Sequence, residues 1–150
     1  MLTEAMNRNA YEHTIRQLDE QASQLQKTGV VLFDLDNLKV INDNFGHEKG
    51  DEALKLCYNC IRQVFKEAQN CFRIGGDEFA YVYHNDEKDL IADRIKRLDI
   101  LLEEAAKKVS YPLSVSVGYA YYLPDKDRAF KDIAKRSDIM LYRRKRRKKL

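Results

Sequence analysis

Apolar residues recur along the chain at the spacings of helices and strands. Four stretches repeat apolar side chains every three or four residues, which predicts amphipathic helices; they run from Tyr11 to Leu25, Ala53 to Phe65, Leu90 to Ala105 and Phe130 to Leu141. Short strand-like runs lie at 30–33, 71–74, 79–83 and 115–121. The first run is apolar throughout, which predicts burial on both faces, whereas the last alternates bulky and small residues. The polar, Asn-rich segment before Ala53 is expected to be a loop.

The predicted elements follow the order α-β-α-β-β-α-β-α. The central part, β-α-β-β-α-β, is the ferredoxin-like arrangement, an α+β fold in which helices cover one side of a four-stranded antiparallel sheet. One extra helix lies at each end. Gly75-Gly76 predicts a hairpin between the second and third strands, with positive φ at its tip. The 150 residues are enough for one domain with a core, so we expect residues 1–150 to form a single domain.

The charge is unevenly distributed. The chain has 27 Lys and Arg against 24 Asp and Glu, a net charge of +3, but seven cations lie in the single run Arg143–Lys149. Without that run, 20 cations face 24 anions and the net charge is −4. This distribution argues against a surface that is basic throughout, as a nucleic-acid-binding protein would have, so no nucleic-acid partner is expected.

Other features indicate a cytoplasmic domain without direct membrane contact. No apolar stretch approaches the roughly 20 residues of a membrane-spanning helix. The N-terminus has neither the basic nor the apolar region of a signal peptide. Three cysteines do not suggest a disulfide framework, and Cys57 and Cys60 lie on the apolar stripe of a predicted helix, where core thiols are favoured over a zinc site.

Two acidic pairs stand where predicted strands end or turn. Asp34 and Asp36 follow the first strand, and Asp77 and Glu78 lie in the hairpin. Because these strands are expected in one sheet, the carboxylates would converge, and a divalent cation is the usual reason for such convergence. Mg²⁺ is favoured because it binds oxygen ligands and completes its shell with phosphates. Taken singly, each carboxylate is better explained as a solvated turn residue, whereas the four taken together favour the metal site.

Two longer motifs resemble those of the GGDEF family, the diguanylate cyclases. Residues 73–79 read Arg-Ile-Gly-Gly-Asp-Glu-Phe, the family signature, and residues 34–51, which begin Asp-Leu-Asp and end Gly-Asp, are similar to its other long motif. The likeness continues in residues 2–8, 114–119 and 137–149. Members of the family condense two GTP into cyclic di-GMP with loss of two pyrophosphates. The resemblance therefore implies GTP as substrate, Mg²⁺ or Mn²⁺ as cofactor, and a homodimer in which each domain holds one GTP.

The resemblance also implies three sets of site residues. The metal would be held by Asp34, the backbone carbonyl of Leu35, Asp77 and Glu78. The transfer would involve Asp77 and Glu78, with Lys39 stabilising charge on the phosphates. The nucleotide would contact Asn42, His47 and Asp51 around guanine, Gly75 and Gly76 in the hairpin, and Lys145 and Lys149 at the terminal phosphates.

The chain departs from the family pattern at three places. The C-terminal pattern Ala-Leu-Tyr-x-Ala-Lys-x-x-Gly-Arg-Asn aligns with the chain from Met140 onward and places Lys149 at its arginine, which implies a weaker hold on phosphate. Glu4 and Ala5 replace a glycine and a leucine of the opening motif, next to the nucleotide. Lys66 and Gln69 replace the Arg and Asp of the family's inhibitory product site, so no such site is expected.

Two alternatives stay open from the sequence. The first is a GGDEF module without catalysis that binds GTP or a partner as a regulator. The second is a ferredoxin-like RNA-binding module whose basic tail contacts phosphate and whose strand residues Phe79, Tyr81 and Tyr83 stack on bases. In either of the GGDEF interpretations, we expect the domain to derive from a longer sensor protein, which is either cytoplasmic throughout or attached to the membrane. We expect the domain to be monomeric when it is isolated from its N-terminal sensory region.

Overall fold

The computed structural model describes residues 2–148, in which a four-stranded sheet is combined with six α-helices. The helices are α1 (Arg8–Glu20), α2 (Ala22–Leu25), α3 (Leu38–Phe45), α4 (His47–Val64), α5 (Ile91–Ala106) and α6 (Phe130–Lys148). The strands are β1 (Thr28–Leu35), β2 (Cys71–Arg73), β3 (Glu78–His84) and β4 (Val115–Tyr121). Short 3₁₀ turns at Ala68–Asn70 and Asn85–Leu90 precede β2 and α5.

The sheet has the strand order β2-β3-β1-β4, and all neighbours are antiparallel. This is the ferredoxin-like topology, so the predicted α+β fold is confirmed. In the β1–β3 register, Thr28 pairs with His84 and Asp34 pairs with Glu78. The register therefore brings the end of β1 to the hairpin between β2 and β3. No helix among residues 2–148 is both long and apolar enough to cross a membrane.

Helices cover both faces of the sheet, whereas the prediction placed them on one side. On one face, Val31 and Phe33 pack with α4 and α5. On the other face, Val30 and Leu32 join a second cluster with apolar residues of α1 and α6. The reason is that each added terminal helix carries its own apolar stripe, which must be buried, and the open face of the sheet is where it can be. The expected burial of β1 on both faces is confirmed.

The polar segment after β1 is helical, so the predicted loop is wrong. Helix α3 buries Ile41 completely, and α4 follows directly with Gly46 as the joint. Gly46 has φ 91° and ψ 159°, a backbone conformation that a side chain would strain. Asn37, which precedes α3, lies in the left-handed region at φ 61°, where Asn is tolerated.

The hairpin between β2 and β3 is present, but its glycines do not have the predicted positive φ. β2 ends at Arg73 and β3 begins at Glu78, so four residues form the connection instead of two. Loops of this length are built mostly around type I turns, which do not require positive φ at two central residues. The backbone nitrogen of Ile74 donates to the Glu78 carbonyl at 2.9 Å, and the Arg73 guanidinium donates to the Gly76 carbonyl at 2.8 Å.

Helix α6 packs very closely against β4 because one residue of that strand has no side chain. A Cβ atom at Gly118 would overlap the backbone carbonyl of Ser137 and lie 2.5 Å from the backbone nitrogen of Leu141. The Ser137 hydroxyl donates to the Gly118 carbonyl at 2.8 Å. The small face of β4 thus sets how α6 lies on the sheet.

We predict that Gly118→Ala lowers the free energy of unfolding by about 1–3 kcal/mol or more, because the added methyl group must displace the backbone of α6. Gly76→Ala is the matched control, since a Cβ there meets nothing within 4 Å. Urea denaturation of both variants measures the difference. Equal stability of the two variants would mean that α6 is not held this close to β4.

Candidate functional site

Three carboxylates come together where β1 meets the hairpin. One oxygen from each of Asp34, Asp77 and Glu78 lies within 4.8 Å of the others. The pairing of Asp34 with Glu78 places two of them side by side on neighbouring strands. A hydrogen bond of 2.8 Å from the Leu35 nitrogen to the Asp77 carbonyl brings the third into position. Of the four acids that the sequence singled out as two pairs, three form one acidic cluster of Asp34, Asp77 and Glu78, and Asp36 is not a member of it.

Asp34 is the member of the acidic cluster that is most affected by its surroundings. Its Oδ1 atom is buried and has no hydrogen-bond partner among the described residues. The pKa of Asp34 is raised to about 6, chiefly by burial and also by the negative charges of Asp77 and Glu78, against the opposing effect of Lys145. An unpartnered, buried carboxylate oxygen that faces two further carboxylates is a position where a cation would be stabilised.

The acidic cluster fits a small divalent cation. Mg²⁺ binds oxygen ligands at about 2.0–2.1 Å, so two ligands of one ion lie no more than about 4 Å apart. The three carboxylate oxygens already lie within 4.8 Å of one another, which is close to that limit. The donor set contains oxygen alone, which is the set preferred by Mg²⁺ and Mn²⁺.

Lys145 of α6 reaches the acidic cluster. Its Nζ atom lies 2.8 Å from Asp34 Oδ2 and 3.8 Å from Asp36 Oδ1. Burial lowers the pKa of Lys145, but the hydrogen bond to Asp34 and the nearby negative charges outweigh this effect and raise it. Lys145 is therefore a cation beside the acidic cluster. Lys149, the other predicted phosphate contact, lies outside the described residues.

Lys148 and Asp36 lie beside the acidic cluster. The sequence interpretation counted Asp36 among the converging carboxylates and assigned Lys148 no role there. The Lys148 Nζ atom lies 2.8 Å from Asp36 Oδ2. Asp36, Asn37, Ser114, Lys145 and Lys148 line a cavity of about 420 Å³. The signal was present in the spacing: Lys145 and Lys148 are three residues apart on a helix, and Asp34 and Asp36 are two residues apart at the end of a strand, so each pair shares a face.

The residues predicted to contact guanine lie at the joint of α3 and α4. The Asn42 carboxamide lies so close to Gly50 that a Cβ on Gly50 would overlap its oxygen. Because Gly50 directly precedes Asp51, the structure places Asn42 and the start of α4 next to each other. Lys39, His47 and Asp51 are exposed. They are not members of the acidic cluster.

The residues that depart from the family pattern differ in their surroundings and in their exposure. Glu4 lines a cavity of about 260 Å³ together with Lys55 and Tyr58 of α4, which lie about one and two turns beyond Asp51, while Ala5 is buried. Lys66 and Gln69, which replace the product-site residues, are both exposed.

The glycines of the hairpin differ in their surroundings. A Cβ on Gly75 would lie 3.3 Å from a carboxylate oxygen of Glu78, whereas one on Gly76 would meet no atom within 4 Å. Gly75 therefore leaves room for the Glu78 carboxylate, and Gly76 faces open space.

The aromatic residues of β3 are not available for stacking on bases. Phe79, Tyr81 and Tyr83 are at most 2% exposed and belong to the core on the α4 and α5 side. The alternative of an RNA-binding module that uses these rings is therefore wrong. Cys57 and Cys60 are also buried in that core, as expected of core thiols.

Known proteins match this chain over nearly its whole length. The family described as "Diguanylate cyclase, GGDEF domain" matches residues 1–149. A diguanylate cyclase from Vibrio cholerae is 32% identical over 149 residues, which cover 97% of this chain and 46% of that protein. The cyclic di-GMP phosphodiesterase PdeB of Shewanella oneidensis is 32% identical over 126 residues, covering 80% of this chain and 14% of that protein. The chain thus spans less than half of these curated relatives.

Solved structures agree with the sequence matches. The GGDEF domain of DgcB from Caulobacter crescentus, in complex with c-di-GMP, superposes with a TM-score of 0.77 at 25% identity, covering 97% of this chain and 88% of that one. The ferredoxin-like topology, the Gly-Gly-Asp-Glu-Phe hairpin and the acidic cluster beside it occur here together. This chain therefore belongs to the GGDEF family and is a diguanylate cyclase-like domain.

Proposed function

We propose that this domain is a diguanylate cyclase that condenses two GTP into cyclic di-GMP and two pyrophosphates, with Mg²⁺ or Mn²⁺, across a homodimer. The observation that carries the proposal is the acidic cluster with an unpartnered Asp34 oxygen and Lys145 beside it. Carboxylates for a metal and a cation for phosphate lie within one site, which is the arrangement that a nucleoside triphosphate requires.

The acidic cluster and the lysines would hold the triphosphate. Asp34, the Leu35 carbonyl, Asp77 and Glu78 are the proposed metal ligands. A metal held by these ligands would lower the pKa of the attacking 3′-hydroxyl and neutralise charge on the leaving pyrophosphate. Lys145 and Lys149 would contact the terminal phosphates, and Lys39, exposed on the first turn of α3, would offset the charge that develops during transfer.

The joint of α3 and α4 would select guanine. Asp51 would accept hydrogen bonds from N1–H and the exocyclic amino group, and Asn42 would pair with another part of the base edge. Adenine lacks this pair of donors, so the Asp51 carboxylate would have no hydrogen-bond partners on the base if ATP were bound. His47 would lie beside the nucleotide.

A second copy of the domain completes the reaction. One domain carries one acidic cluster, and each of the two phosphodiester bonds forms by attack of a 3′-hydroxyl of one GTP on the α-phosphorus of the other, with pyrophosphate leaving. Two domains must therefore face each other. We propose that an N-terminal sensory region of a longer protein controls this encounter.

A regulator without catalysis is the second candidate. It is favoured by the position of Glu4 and Ala5, because the cavity lined by Glu4 lies on α4 close to Asp51 and so next to the proposed base site. Under this alternative, GTP binds but does not react even when two domains are held together.

We predict that the domain, dimerised by a fused coiled coil, converts labelled GTP to cyclic di-GMP with Mg²⁺, and that Asp77→Asn lowers the rate about 100-fold or more, since a metal contributes several kcal/mol. Asp89→Asn, an exposed acid beyond the other end of β3, is the matched control. GTP binding without product in the fused dimer would favour the regulator, and absence of GTP binding would contradict both candidates.

We predict that Asp51→Asn weakens GTP binding about 10- to 100-fold, because hydrogen bonds to a charged group contribute about 1.5–3 kcal/mol. Asp43→Asn, exposed on α3, should leave the dissociation constant unchanged. Calorimetry with a non-hydrolysable GTP analogue measures both variants. Equal affinities would contradict the role of Asp51 as the guanine acceptor.

We predict that Mn²⁺ affinity is full above about pH 6 and falls about tenfold per pH unit below it, because a ligand must lose its proton and the pKa of Asp34 is about 6. Titration of free Mn²⁺ by electron paramagnetic resonance between pH 5 and 7.5 tests this. Asp34→Asn should bind weakly and without this pH dependence. Asp99→Asn should keep the dependence, although burial also raises the pKa of Asp99.

A further inference from the structure

Lys148 is a fixed cation at the end of α6. Its Nζ atom lies 2.8 Å from Asp36 Oδ2, 2.8 Å from the Ser114 hydroxyl and 2.6 Å from the Val115 carbonyl. An ammonium group has three donors, and here each has an acceptor. In the family pattern this position is a glycine, so the contact is a property of this chain.

Asp36 is the acidic residue that contacts Lys148, and it is not a member of the acidic cluster. It is 8% exposed, and the hydroxyls of Ser114 and Ser116 donate to its carboxylate at 2.8 and 2.9 Å. Asp36 thus joins the end of β1 to β4 and, through Lys148, to α6. The hydrogen bond between the Asp36 carboxylate and the Lys148 ammonium group joins two charged groups, and such bonds are stronger than those between neutral groups.

The last turns of α6 depend on such contacts. Leu141 is the last buried residue of α6 within the described chain. The cations that follow it repel one another along the helix, although they interact favourably with the helix dipole. Lys145 and Lys148 lie three residues apart on the face of α6 that meets β1. There Lys145 forms an ion pair with Asp34, and Lys148 forms one with Asp36.

We propose that Lys148, held by Asp36, is a positioning residue that keeps the end of α6 on the sheet so that Lys145 can hold the triphosphate of GTP. When nucleotide binds, Lys145 leaves Asp34 for phosphate, while Lys148 stays on Asp36. The proposal rests on the proposed function for the contact between Lys145 and phosphate. The anchor formed by Asp36 and Lys148 itself is seen directly in the contacts.

A double-mutant cycle tests whether Lys148 acts through Lys145. Lys145→Met, Lys148→Met and the double variant are titrated with a non-hydrolysable GTP analogue and Mg²⁺ at 0.15 M salt. We expect Lys145→Met to weaken binding about tenfold, Lys148→Met to cause most of that loss, and the double variant to lose no more than Lys145→Met alone. Arg146→Met removes an exposed charge from the same helix and is expected to change affinity less than about twofold.

Hydrogen exchange gives a readout that does not need GTP. Lys148→Met should speed amide exchange in residues 142–148, and Arg146→Met should not. Any of three results would overturn the positioning role while leaving the proposed function intact. These are additive losses of GTP-analogue affinity in the double variant, equal affinities of Lys148→Met and Arg146→Met, and unchanged amide exchange in Lys148→Met. If the wild-type domain binds no GTP but Lys148→Met still speeds exchange, the proposed function fails, and the positioning role fails with it.

Discussion

The contact between α6 and β4 at Gly118 is the constraint on which the site depends. Since no side chain stands between helix and strand, the backbones at Gly118, Ser137 and Leu141 approach directly. From Leu141 onward the helix continues past the end of β1. Lys145 follows after about one turn and Lys148 after about two, and they meet Asp34 and Asp36 there. The packing of apolar and small residues thus places the charges of the site.

Charge explains why the end of α6 and the end of β1 belong together. Several carboxylates converge at one edge of the sheet, where burial raises the pKa of Asp34 to about 6. Carboxylates this close together repel one another unless cations lie beside them. In the described structure these cations are the lysines of α6. The same carboxylates suit a metal and the same lysines suit phosphate, so the residues that balance one another in the free domain are those proposed to hold a metal nucleotide.

The sequence predicted the topology well but missed features that depend on packing. Strand and helix periodicity was enough for the ferredoxin-like order. It did not reveal α3, because Ile41 is a single buried residue in a polar stretch, nor the covering of both faces of the sheet. Positive φ at Gly75 and Gly76 was expected for a two-residue turn, and the longer connection removed that need.

The sequence by itself determined the family, the core of the fold and the residues Asp34, Asp77, Glu78 and Lys145 as candidates for one site, because motifs and hydrophobic periods are local. Only the tertiary structure decided that one oxygen of Asp34 is buried without a hydrogen-bond partner among residues 2–148, that Lys145 contacts Asp34, and that Lys148 contacts Asp36. Those facts depend on the strand register and on how far α6 extends along β1. Both are set by long-range packing, which no local pattern specifies.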